Sequence, residues 1–103
     1  MSSRPVRITE AEQLYPGQML GIIVEGKDIL LANIEGVFYA IDNKCSHEDA
    51  LLYNGALKQD CVECPLHGSR FSFITGQPME QPATEPVKTY AISEEKDGFY
   101  ITL

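Results

Sequence analysis

Two short motifs constrain this chain more than any other feature. They are Cys45-Ser46-His47 and Cys64-Pro65-Leu66-His67, with sixteen residues between them. Each supplies one thiol and one imidazole, and together they use both histidines and two of the three cysteines. A Cys₂His₂ set divided in this way suits a two-iron, two-sulfide cluster, with the cysteines on one iron and the histidines on the other. Thiolates favour iron and sulfide. Replacing two of four thiolates by neutral imidazoles removes two negative charges, which eases reduction and raises the potential. A structural zinc is the alternative for the same ligands, but its usual pattern pairs the cysteines and places the histidines on a helix. Catalytic Cys–His chemistry would use one motif and leave the other unexplained.

The remaining composition narrows the setting. A chain of 103 residues makes one small domain. No apolar run approaches the roughly 20 residues of a membrane span, and residues 1–13 contain no apolar segment of signal-peptide length. These features predict a cytoplasmic protein. The net charge is −7 and no basic patch stands out, which argues against binding a phosphate backbone. An acidic surface fits a carrier that meets a more basic partner, or serves solubility alone. The odd cysteine count reads as metal ligands or free thiols rather than disulfides. Strand alternation turns Val62 and Cys64 one way and Cys61 and Glu63 the other, so Cys61 reads as a spare thiol, with a substitute ligand as the alternative.

The hydrophobic runs are short and strand-like, at 6–9, 19–24, 29–33, 37–42, 56–58, 62–63, 70–74, 87–93 and 99–103. Turn signals separate them: Tyr15-Pro16-Gly17-Gln18, Glu25-Gly26, Glu35-Gly36, Asn54-Gly55, Thr75-Gly76 and the Asp97-Gly98 hairpin. Thr9 and Glu12 have capping-box spacing, which predicts one helical turn over 10–14. Pro78, Pro82 and Pro86 predict an extended, irregular segment up to Glu85. The pattern is that of a β-meander or small antiparallel barrel, with both ligand motifs on the ends of β-loops. Lys44 and Arg70 are expected to offset Glu48, Asp49, Asp60 and Glu63. Met79 and most tyrosines are expected to pack, with Tyr53 nearest the site.

The paired motifs and their surroundings resemble the Rieske family, in particular the short Rieske ferredoxins of bacterial aromatic-ring dioxygenase systems. Val62-Glu63-Cys64-Pro65-Leu66-His67-Gly68 resembles the second cluster loop, and Phe71 through Thr75-Gly76 the following hairpin. Pro82-Ala83, Glu85-Pro86-Val87, Tyr90 and Asp97-Gly98 resemble the C-terminal segment. The resemblance implies an all-β Rieske-type fold: a small antiparallel β-sandwich or barrel with a cluster-binding subdomain formed by two β-loops. It implies one domain over 1–103, with cluster loops at about 43–76 set into a base formed by 1–42 and 77–103.

By the same resemblance, Cys45, His47, Cys64 and His67 hold one [2Fe–2S] cluster. The histidines would bind through Nδ1 and present their Nε2 edges to solvent as the electron exit and docking point. Gly68 would bring a backbone N–H to a sulfide, Ser69 would donate its hydroxyl to one, and Pro65 and Leu66 would shield the group. Respiratory members carry a disulfide between positions that are Ala50 and Leu66 here, and a tyrosine where this chain has Phe71. Both departures imply the low-potential branch, whereas Ser69 raises the potential within it. The implied protein is not itself an enzyme. It is a monomeric electron carrier between an NAD(P)H-dependent flavin ferredoxin reductase and a terminal Rieske non-haem iron oxygenase, without nucleic-acid or membrane partners. The alternative is a small Rieske-like subunit of an assimilatory nitrite reductase.

Overall fold

The computed structural model describes residues 5–46, 50–66, 68–80 and 83–103. The turn signals convert the short apolar runs into antiparallel neighbours. The strands are β1 (Pro5–Ile8), β2 (Met19–Val24), β3 (Lys27–Ile34), β4 (Val37–Asp42), β5 (Ala56–Lys58), β6 (Cys61–Glu63), β7 (Arg70–Ser72), β8 (Pro78–Glu80), β9 (Thr89–Glu95) and β10 (Gly98–Thr102). One-turn 3₁₀ helices occupy Glu10–Gln13 and Leu52–Asn54. Six strands form a base sheet in the order β1-β10-β9-β4-β3-β2, and four form a smaller sheet in the order β5-β6-β7-β8. The fold is all-β, as expected.

Strand β3 explains how two sheets share one short chain. Its run Ile29-Leu30-Leu31-Ala32 is fully buried on both faces, and successive side chains point opposite ways. Ile29 and Leu31 enter a cluster within the base, with Ile8, Ile22, Tyr90 and Ile101. Leu30 and Ala32 enter a second cluster with Ile41, Leu52, Val62, Phe71 and Phe73. That second cluster joins base to small sheet, and it contains both Cys45 and Cys64.

Several local expectations change. Thr9 makes no side-chain cap; its carbonyl instead accepts from Glu12 N–H at 3.1 Å. With αR backbone at Thr9, the hydroxyl is not presented to the first turn as an extended N-cap residue would present it. The last hairpin turns on Lys96-Asp97, and Gly98 already pairs with Glu95. The proline-bearing segment begins with a short outer strand: Pro78 starts β8 and pairs with Phe71, an edge position where its missing N–H is tolerated. Met79 does not pack, being largely exposed, and Tyr15 is also exposed.

Candidate metal centre

The two cysteines are held by matching loops. Cys45 follows the end of β4, and its N–H donates to the Ala50 carbonyl at 3.0 Å. Cys64 follows β6, and its N–H donates to the Ser69 carbonyl at 2.7 Å. Each cysteine therefore opens a tight loop that closes on the carbonyl five residues later. The thiols are 4% and 2% exposed, and neither is in a disulfide. Two buried soft donors, each with its backbone N–H already bonded, sit in one apolar cluster. This fits a group that takes thiolates on one side. His47 and His67, together with Glu48 and Asp49, lie outside the described residues.

Gly68 and Ser69 complete the second loop. Gly68 has φ of 76°, a left-handed conformation that favours glycine. Its N–H donates to the Cys64 carbonyl at 3.3 Å. Ser69 is 1% exposed, and its Oγ accepts the Ala83 N–H at 3.0 Å. A hydroxyl that accepts one bond still has its proton to donate. Phe71 is fully buried and pairs with Val62.

A third segment ties the loops together, and the sequence reading gave it no such role. Ser46 Oγ donates to the Glu85 carbonyl at 2.6 Å, Ala83 N–H donates to Ser69, and Val87 N–H donates to the Gly76 carbonyl. Residues 83–87 thus strap the first loop to the second. The prolines around this segment signal an extended strap, but a main-chain acceptor such as the Glu85 carbonyl leaves no mark in the side-chain pattern.

The charges and exposed groups around the loops divide clearly. Arg70 Nε lies 3.2 Å from Glu63 Oε2 across the β6–β7 pair, the offsetting role expected of it. Cys61 faces away from Val62 and Cys64, and its thiol donates to Asp60 Oδ1 at 3.5 Å. Burial first, and then the Asp60 carboxylate, push the Cys61 thiol above its ordinary range; Arg70 acts weakly in the opposite sense. Cys61 is thus engaged by Asp60, away from the two buried cysteines. Leu66, expected as a shield, is 56% exposed, and Leu51 and Tyr53 are also exposed. These apolar groups on and beside the two loops are available for contact with another surface.

Comparison with known proteins agrees with this geometry. Residues 4–91 match the family profile of the Rieske [2Fe-2S] domain. The ferredoxin component of the naphthalene 1,2-dioxygenase system of Pseudomonas putida is 37% identical over 95 residues, 92% of this chain and 91% of that protein. The structure of the ferredoxin of carbazole 1,9a-dioxygenase from Nocardioides aromaticivorans IC177 superposes with a TM-score of 0.86. It is 33% identical over 95% of each chain. A Mycobacterium tuberculosis chain described as an NADH-dependent nitrite reductase small subunit has a TM-score of 0.85 at 17% identity, covering 100% of this chain and 97% of that one. That likeness shows the fold alone.

Proposed function

Because the chain belongs to the Rieske [2Fe-2S] domain family, we propose that it is the ferredoxin of an aromatic-ring dioxygenase system. It carries single electrons from an NAD(P)H-dependent flavin ferredoxin reductase to a terminal Rieske non-haem iron oxygenase, and acts as a cytoplasmic monomer. The observation that carries this reading is the pair of buried, unbridged thiols, Cys45 and Cys64, in the same core cluster, each opening a loop that closes on the carbonyl five positions later. Cys45 and Cys64 would hold one iron of the group, and His47 and His67 the other. When bound, the [2Fe–2S] cluster supplies a one-electron couple.

The chain's own residues do the rest. The Cys45 and Cys64 thiolates anchor the group at the floor of the site, and Val62, Phe71 and Leu52 exclude water behind them. The Ser69 oxygen accepts the Ala83 N–H and leaves its proton to give; donated to the bound group, it would favour the more negative state. Leu51, Tyr53 and Leu66, exposed beside the ligands, meet the partner protein, as apolar contacts at the centre of an interface do. One domain over 1–103 contains all of these parts, with the ligand loops set into the six-stranded base.

The nitrite reductase reading shares the fold. The closer sequence likeness to dioxygenase ferredoxins favours the carrier. The test is reconstitution: the purified protein is mixed with a flavin reductase, NADH and a Rieske oxygenase with its aromatic substrate. The proposal expects product formation that depends on this chain. Stable copurification with a large reductase subunit, with no support of any oxygenase, would overturn it.

A further inference from the structure

The first ligand loop is closed at its base, and one side chain fastens that base to the scaffold. Lys44 bridges Leu51 in antiparallel fashion, and Cys45 N–H bonds the Ala50 carbonyl. Beneath this pair sits Asn43, a polar residue only 3% exposed. Its Nδ2 donates to Asp28 Oδ1 at 3.0 Å, at the start of β3. Its Oδ1 accepts the Tyr53 N–H at 2.9 Å, on the returning leg of the loop. Its backbone repeats both connections: Asn43 N–H donates to the Asp28 carbonyl at 3.0 Å, and the Asn43 carbonyl accepts from Leu52 N–H at 2.6 Å. One residue thus grips the entering leg, the returning leg and the base sheet.

A second observation points to the same residue. Gly21 lies inside β2, where glycine weakens a strand. A Cβ at Gly21 would stand 3.1 Å from Asn43 Nδ2 and 3.8 Å from the Tyr53 side chain. The missing side chain in β2 makes room for the amide.

We propose that Asn43 is a positioning residue for the metal centre: it fixes the first ligand loop, and with it Cys45, against the base sheet. It acts through the loop and touches neither the cluster nor a partner. The inference rests on Cys45 being a ligand. Loss of the Asn43 side chain removes the acceptor of the Tyr53 N–H and the donor to the Asp28 carboxylate, both in part-buried contacts, and leaves a void where Asn43 is only 3% exposed, at the cost of two hydrogen bonds that tie the loop down. The cost falls on the loop rather than on the base core.

The experiment compares Asn43→Ala, Asn43→Asp, the exchange Asp28→Asn with Asn43→Asp, and Gly21→Ala. Readouts are the lifetime of the visible chromophore against an iron chelator, the EPR g-values of the reduced protein, and the midpoint potential. Asn43→Ala is expected to shorten the chelator lifetime on the order of tenfold to a hundredfold, broaden the EPR signal and move the potential. Asn43→Asp sets two carboxylates together and is expected to do the same. The exchange restores one donor and one acceptor across the contact and is expected to lengthen the lifetime relative to Asn43→Asp. Gly21→Ala is expected to shift the spectrum in the same sense, but less.

Ile101→Ala, a cavity in the base core, serves as the control for general destabilisation: it should lower the melting temperature while leaving the g-values alone. Wild-type lifetime and g-values in Asn43→Ala would overturn the proposal. If Asn43→Ala does not fold, an exchange variant no better than Asn43→Asp would overturn it equally. Cys45→Ser separates the underlying assumption: a normal cluster in that variant would refute the ligand assignment itself, whatever Asn43 does.

Discussion

Cys61 lies three residues before Cys64 yet turns its thiol to Asp60 on the opposite face of β6. Its substitution by serine should leave iron content and visible spectrum unchanged, as metal analysis would check; loss of iron would mean that the thiols are misassigned. Ser69 is different, because its oxygen holds Ala83 while its proton remains to be given. Ser69→Ala should lower the midpoint potential by roughly 60 mV, the equivalent for one electron of about 1.4 kcal/mol of bonding lost from the reduced state. An unchanged potential would remove Ser69 from the electronics of the site and leave it only as the anchor of residues 83–87. At this scale the sequence was highly legible for cysteines, because thiol chemistry and strand alternation are both local. It was poorly legible for Asn43 and Ser46. Their roles depend on acceptors fifteen and thirty-nine positions away, and nothing local in a lone Asn or Ser announces such a partner.

Among the elements, strands read well where a turn signal bounds both ends. Strands β2, β4 and β5 fall where the apolar runs placed them. The misplacements arise where tertiary contacts decide. Arg7 reaches the Asp97 carbonyl from β1, and Tyr100 donates to the Asp97 carboxylate at 2.8 Å; these contacts accompany a hairpin that turns one position earlier than the Asp-Gly signal. The 3₁₀ turn Leu52–Asn54 leads into a close approach: a Cβ on Gly55 would lie 1.8 Å from the Glu63 carbonyl oxygen. Gly55→Ala should therefore destabilise the protein by about 1–3 kcal/mol. It should also weaken iron retention, since Glu63 directly precedes Cys64; denaturant unfolding and iron analysis measure the two effects.

The β4–β9 contact gives a pH prediction. Tyr90 donates to Asp42 Oδ1 at 2.6 Å. Burial first, and then that carboxylate, raise the Tyr90 phenol well above its ordinary value of 10.0. The folded state then keeps the proton that the unfolded chain releases. This contribution is complete below pH 10 and is lost as pH rises through the raised folded value. Above that pH the wild type should lose thermal stability more steeply than Tyr90→Phe.

The molecule as a whole is thin, with backbone extents of 40 × 32 × 19 Å. No helix is long and apolar enough to cross a membrane among the described residues. A net charge of −7 should make electron transfer to a basic partner slow as salt rises, because exposed charges beyond about 8–10 Å are screened at physiological ionic strength. The proposed function requires a Cys₂His₂ [2Fe–2S] cluster of low potential that passes one electron at a time. The most direct test is a redox titration of the isolated protein at about pH 7, followed by visible absorption and EPR. A single reversible one-electron step is expected near the low end of the Rieske range, about −150 mV, with an EPR signal in the reduced form. A colourless protein with tightly bound zinc, or a step hundreds of millivolts higher as an order of magnitude, would contradict it.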